Sequence, residues 1–185
     1  GTTTPFSIGA QTPCRLSDLT QGEFIAEFEF LISVAAVHAS QIDQLIRRYS
    51  VDGVARPALG EATLNGMLKG YIDLIFAHEG QYFVLDYKSN YLGPSDQDYD
   101  STSLKEAVLK RRYDVQYSLY LLALHRLLRS RLGADYDYDT HIGGAVCLFL
   151  RGIQHPDQGA FADRPDRALI EGLDQLLSGE ITDVA

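Results

Sequence analysis

The sequence predicts an α/β fold, a central mixed β-sheet flanked by helices on both faces. Two observations carry this. Segments with a two-residue apolar period and segments with a helical period alternate in the order strand, helix, strand, strand, helix, helix, strand, helix. The chain has 185 residues, 45% of them hydrophobic, which is enough to bury one core without disulfides or structural metal and fits a single domain spanning residues 1–185.

Each element follows from its pattern. Residues 1–20 read as loop, broken by Pro5, Gly9 and Pro13. Over residues 24–32, Phe24, Ala26, Phe28 and Phe30 alternate with Glu27 and Glu29, which predicts a strand. Ile42, Leu45 and Ile46 share one helical face over residues 40–49. Residues 53–60 read as loop. Residues 64–76 and 82–88 are two apolar strands joined across His78-Glu79-Gly80-Gln81, an antiparallel hairpin. A polar loop over 93–100 precedes the capping-box pattern Ser103-x-x-Glu106, which opens a helix to Arg112. Asp114 is the expected N-cap of a longer helix over 115–132. Gly143-Gly144 open a strand over 142–150, residues 154–165 read as loop, and a last helix spans about 166–177, with Gly179 near its end.

Composition narrows the function classes. The longest apolar runs, such as residues 120–124 and 146–150, are far too short to cross a bilayer, and the N-terminus has no signal-peptide pattern. Cys14 and Cys147 are distant and lie in no C-x-x-C pattern, which fits a reducing, cytoplasmic setting. A net charge of −9 argues against an autonomous phosphate binder. The charge is uneven, however. Lys105, Lys110, Arg111 and Arg112 form a basic stretch, open to phosphate contact or to plain solvation, while the tract from Asp135 to Asp139 reads as a solvated acidic loop. His125, His141 and His155 show no ligand spacing.

The central hairpin carries the chemistry. With a connection of two or four residues, Asp73 faces Asp86 and Tyr71 faces Lys88, and facing Cβ atoms lie about 4.5–5.5 Å apart. Asp86 and Lys88 share a face. Two opposed carboxylates on otherwise apolar strands repel, and a divalent cation between them removes the difficulty. Oxygen donors of this number suit Mg²⁺ with retained waters. The same residues would also form an ion cluster of Asp73, Asp86, Lys88 and Lys69.

The runs Gly66-Met67-Leu68-Lys69-Gly70-Tyr71-Ile72-Asp73-Leu74-Ile75-Phe76 and Tyr82-Phe83-Val84-Leu85-Asp86-Tyr87-Lys88-Ser89-Asn90-Tyr91-Leu92-Gly93 resemble the nuclease domain of the RecB family. Gln116-x3-Tyr120 and the stretch from Gly143 to Gly152 are similar to its later motifs, so the resemblance runs from about Glu27 to about Leu177. It implies a restriction-endonuclease-like fold and a Mg²⁺-dependent exodeoxyribonuclease acting in recombinational DNA repair. Asp73, Asp86 and the Tyr87 carbonyl would be metal ligands, Lys88 the catalytic lysine, and Glu29 a further acidic residue, with Glu27 second in line.

Gln116 and Tyr120, one helical turn apart, would line the site; their residue-level alternative is a core helix with one buried amide. The resemblance also implies double-stranded ends and unwound single strands as DNA substrates, and RecC-like and RecD-like subunits as partners. The chain would then be the C-terminal part of a longer helicase–nuclease subunit, with ATP used only by the helicase part. The rival reading is a catalytically silent domain bracing that complex. The family pattern also has a metal-binding His upstream of the first strand; His38 follows that strand and does not take the role.

Overall fold

The computed structural model describes residues 5–6, 8, 13–154 and 158–178, so Gly9, His155 and Gly179 lie outside the described residues. Five strands form one sheet in chain order: β1 (Phe24–His38), β2 (Thr63–His78), β3 (Gln81–Lys88), β4 (Ile142–Phe149) and β5 (Ala160–Asp163). β3 and β4 are parallel, and the other neighbours are antiparallel, which makes the sheet mixed as expected. β1 runs past residue 32 to His38, held by its pairing with β2. β5 corrects the expected loop over 154–165. Its four residues are too few to show a period, and only the ladder to β4 defines it.

Among the described residues five α-helices follow the sheet's connections: α1 (Ala39–Tyr49), α2 (Ser101–Lys110), α3 (Tyr113–Leu132), the one-turn α4 (Tyr138–His141) and α5 (Arg167–Ser178). Two caps differ from expectation. Asp100, not Ser103, caps α2, its carboxylate accepting the Ser103 N–H at 2.8 Å. Asp114 does not cap α3. Arg112 occupies the N-cap with a left-handed φ of 55°, and Asp114 lies fully buried inside the first turn. There it takes ion pairs from Arg56 (2.8 Å) and Arg112 (3.0 Å), and Arg112 also reaches Asp43 on α1 at 2.7 Å. Two guanidinium partners compensate the buried carboxylate, which leaves it no role as a cap.

The covering of the two faces is unequal. Side chains of α1, α2, α3 and α5 join Ile32, Ile72, Ile75, Val84, Cys147 and Phe149 in the larger core. On the opposite face Leu74, Phe76, Phe83, Leu85 and Val146 are covered by Phe6, Ile8 and Cys14, with Leu16 from a 3₁₀ turn, and by no α-helix among the described residues.

The β2–β3 hairpin has the expected register, with Leu74 opposite Leu85, Ile75 opposite Val84 and Phe76 opposite Phe83. Its turn has left-handed φ at both central residues, Glu79 (50°) and Gly80 (78°), the type I′ combination that matches the twist of the strands. The ladder stops at Leu74–Leu85. Beyond that point β2 stays with β1, while β3 continues along β4 to Lys88–Phe149. The sheet therefore forks at Asp73 and Asp86.

A second irregularity falls at the same level. β1 and β2 pair through Ala26–Leu74 and Phe28–Ile72, and between these pairs Glu27 takes a left-handed φ of 52° across from Asp73. Ile72 and Ile75, three residues apart, both bury in the helix-side core. Strict alternation cannot do that, so the strand changes phase at Asp73.

Candidate active site

At the fork, side chains replace the missing ladder. Asp73 Oδ2 accepts the Tyr87 backbone N–H at 2.8 Å. Asp86, next along β3, is 9% exposed and Lys88 6%. The Lys88 ammonium pairs with the Asp86 carboxylate and donates to Gln116 Oε1 on α3 at 2.5 Å. The Gln116 amide in turn donates to the Tyr120 hydroxyl at 3.0 Å, one turn further along the helix. The structure thus brings Asp73, Asp86, Lys88, Gln116 and Tyr120 together.

The electrostatics show what this arrangement lacks. Burial, against the pull of the Lys88 ammonium and with a smaller push from the Asp73 carboxylate, leaves the Asp86 carboxyl raised to about 6. Lys88 therefore does not fully offset the burial of the Asp86 carboxylate beside Asp73. Tyr120 is pushed up to about 12 by burial and then by the Asp86 charge, so its phenol stays neutral. The unmet demand is for positive charge on hard oxygen donors, which is the chemistry of Mg²⁺ or Mn²⁺. Asp73 and Asp86 fit such an ion. Among the described residues no group of three or more His, Cys, Asp or Glu side chains converges, so other oxygens would have to complete the shell.

Two other placements bear on the expectations. Lys69 does not join an ion cluster at the fork, since it pairs with Glu29 at 3.0 Å. Glu29 stands opposite Tyr71 with its side chain 47% exposed, whereas Glu27 is the acidic residue level with Asp73. His38 sits at the start of α1, its Nδ1 within 3.1 Å of the Thr63 hydroxyl.

Of the basic stretch, Arg112 is buried in ion pairs rather than offered to phosphate, while Lys110 and Arg111 are exposed. The acidic tract is more structured than a solvated loop. Asp137 caps α4, and Tyr138 is buried.

Sequence reasoning missed two residues that touch the lysine's surroundings. The Tyr113 ring lies 3.6 Å from Lys88 Nζ, and its hydroxyl donates to Asn90 Oδ1 at 3.1 Å. The signal was present, because Tyr113 is three residues before Gln116 and so lies on the same helical face.

The model of the PD-(D/E)XK nuclease superfamily matches residues 20–184. The chain is 45% identical over 172 residues to the RecBCD enzyme subunit RecB of Escherichia coli (strain K12), covering 91% of this chain and 14% of that protein. It is 48% identical over 112 residues to the Haemophilus influenzae RecBCD enzyme subunit RecB, covering 60% of this chain and 9% of that protein. For the same subunit of Mycobacterium tuberculosis (strain ATCC 25618 / H37Rv) the identity is 40% over 136 residues, 68% of this chain and 12% of that protein. The chain spans about one seventh of the length of the E. coli relative, as the 14% coverage states. No described helix is long and apolar enough to cross a membrane.

Proposed function

Since the chain belongs to the PD-(D/E)XK nuclease superfamily, we propose that it is a Mg²⁺-dependent exodeoxyribonuclease module of a cytoplasmic helicase–nuclease that processes DNA ends in recombinational repair. Its companions in that assembly would be RecC-like and RecD-like subunits. The observation that carries the reading is the convergence at the sheet fork of two carboxylates and a lysine whose ammonium is itself held by Gln116.

The residues divide the work as follows. Asp73, Asp86 and the Tyr87 carbonyl would hold the cation. When bound, it supplies a Lewis acid and lowers the pKa of an attacking water. Lys88 would orient the water and neutralise charge developing on the phosphoryl oxygens. Gln116 fixes the lysine through its amide oxygen and is fixed in turn by Tyr120. Glu27 or Glu29 is the further acidic group, and Glu27 is favoured by its position across from Asp73.

The test is digestion of end-labelled linear double-stranded and single-stranded DNA with Mg²⁺ or Mn²⁺, comparing the protein with Asp73→Ala and Asp86→Ala. Products released progressively from ends, absent with chelator and in both variants, support the reading. Cleavage that persists in both variants refutes it.

A further inference from the structure

Asp86 and Gln116 hold the Lys88 ammonium through its N–H groups, but a third contact comes from an aromatic face. Nζ lies 3.6 Å from the Tyr113 ring centroid. At that distance an ammonium is attracted to the electron-rich face of the ring, more strongly where water is excluded. The ring is fixed at both ends. Its backbone opens α3 directly after Arg112, whose left-handed turn is pinned by Asp43, Asp114 and the Pro57 carbonyl. Its hydroxyl is tied at 3.1 Å to Asn90, two residues beyond Lys88 on the segment that leaves β3. The ring and the lysine are therefore joined both through space and through a short stretch of chain.

We propose that Tyr113 is a positioning residue whose ring face sets where the Lys88 ammonium sits. This deepens the nuclease reading and rests on Lys88 acting in it. A lysine has a flexible four-carbon stem, and a compact ammonium offers no geometric preference of its own. Asp86 would be shared with the cation, which leaves Gln116 and Tyr113 as the contacts made to the lysine rather than to the metal. A ring face also holds the ammonium without accepting its proton, which leaves the charge in place for the phosphoryl oxygens. Substrate is not required to touch Tyr113 for this role.

The experiment compares Tyr113→Leu, Tyr113→Phe, Asn90→Ala and Tyr113→Leu combined with Lys88→Ala in the full polypeptide. Tyr113→Leu is expected to lower kcat about 10- to 100-fold, the scale of a misplaced catalytic group, with KM for DNA and Mn²⁺ affinity within about twofold of the parent. Tyr113→Phe keeps the ring and is expected within about threefold of the parent kcat, with Asn90→Ala close to it. Tyr113→Leu should cost nothing further on the Lys88→Ala background.

A second readout needs no activity. The ε-methylene protons of Lys88 in labelled protein should be shifted upfield by the ring, a shift kept in Tyr113→Phe and lost in Tyr113→Leu. Parent-like kcat in Tyr113→Leu, a full additional loss on the Lys88→Ala background, or no ring shift in the parent overturns the proposal. A parent that cuts no DNA removes the nuclease reading instead, and the ring shift still decides whether Tyr113 places the lysine.

Discussion

Replacing Asp86 by Asn should stabilise the metal-free protein while removing its response to metal. The carboxyl is raised from 3.8 to about 6 in the fold, and that shift already includes the attraction of Lys88. Between these values the folded state binds more protons than the unfolded chain, so stability falls as pH rises through the window. The neutral carboxyl's advantage is fully present below the unfolded pKa and is lost above pH 6. A shift of about two units corresponds to about 3 kcal/mol. The amide resembles the protonated acid, so Asp86→Asn should match the parent near pH 4 and exceed it by up to about 3 kcal/mol at pH 8. For a domain of this size that is a Tm rise of about 6–10 °C.

Metal reverses the order. A cation at about a hundred times its Kd would restore about 2.7 kcal/mol to the parent and little to the variant. Thermal unfolding at pH 4.5 and 8, each with EDTA and with Mn²⁺, measures all four corners. A variant no more stable than the parent at pH 8 in EDTA would show that Lys88 fully compensates the carboxylates and that the fork has no unmet demand for a cation.

Three further outcomes follow from the same geometry. Lys88→Ala should lower turnover about 10²- to 10³-fold yet keep Mn²⁺ binding by calorimetry, because the ammonium is a partner of Asp86 and not a metal ligand. Gln116→Leu removes the acceptor at 2.5 Å from the ammonium and should lower kcat about tenfold with KM unchanged, read under single-turnover conditions. Arg56→Met should cost about 3 kcal/mol in urea unfolding, since it strips one of two guanidinium partners from a carboxylate with no exposure.

The hairpin and its register were legible because an apolar alternation in both strands and a short connection leave few pairings open. The five residues that the structure gathers at the fork were legible for a different reason. Asp73, Asp86 and Lys88 break apolar runs, which leaves an ion cluster equally open; the resemblance to the RecB-family motifs, Gln116-x3-Tyr120 included, is what singled out the set. What the sequence hid was decided by tertiary partners. Nothing local in Asp114 separates a cap from a buried anion; the difference is made by Arg56, 58 residues away along the chain. β5 exists only through β4. Tyr113 lay outside the expected helix over 115–132, and its partner, the Lys88 ammonium, arrives from another element.

The position of the carboxylates follows from the fork rather than from either strand alone. Where β2 and β3 part, the Tyr87 N–H, on the exposed side of the fork, loses its ladder acceptor on β2. Asp73 supplies the acceptor from its side chain. That bond draws one carboxylate into the gap between the strands, beside Asp86, which faces α3 because β3 keeps the phase set by Val84. The phase change at Ile72–Asp73 and the left-handed Glu27 across from it free β2 from its alternation at this level. A straight, fully paired hairpin would satisfy Tyr87 with backbone and leave Asp73 without a reason to enter the gap. The break in the sheet is thus what brings two like charges together and what leaves them in need of a cation.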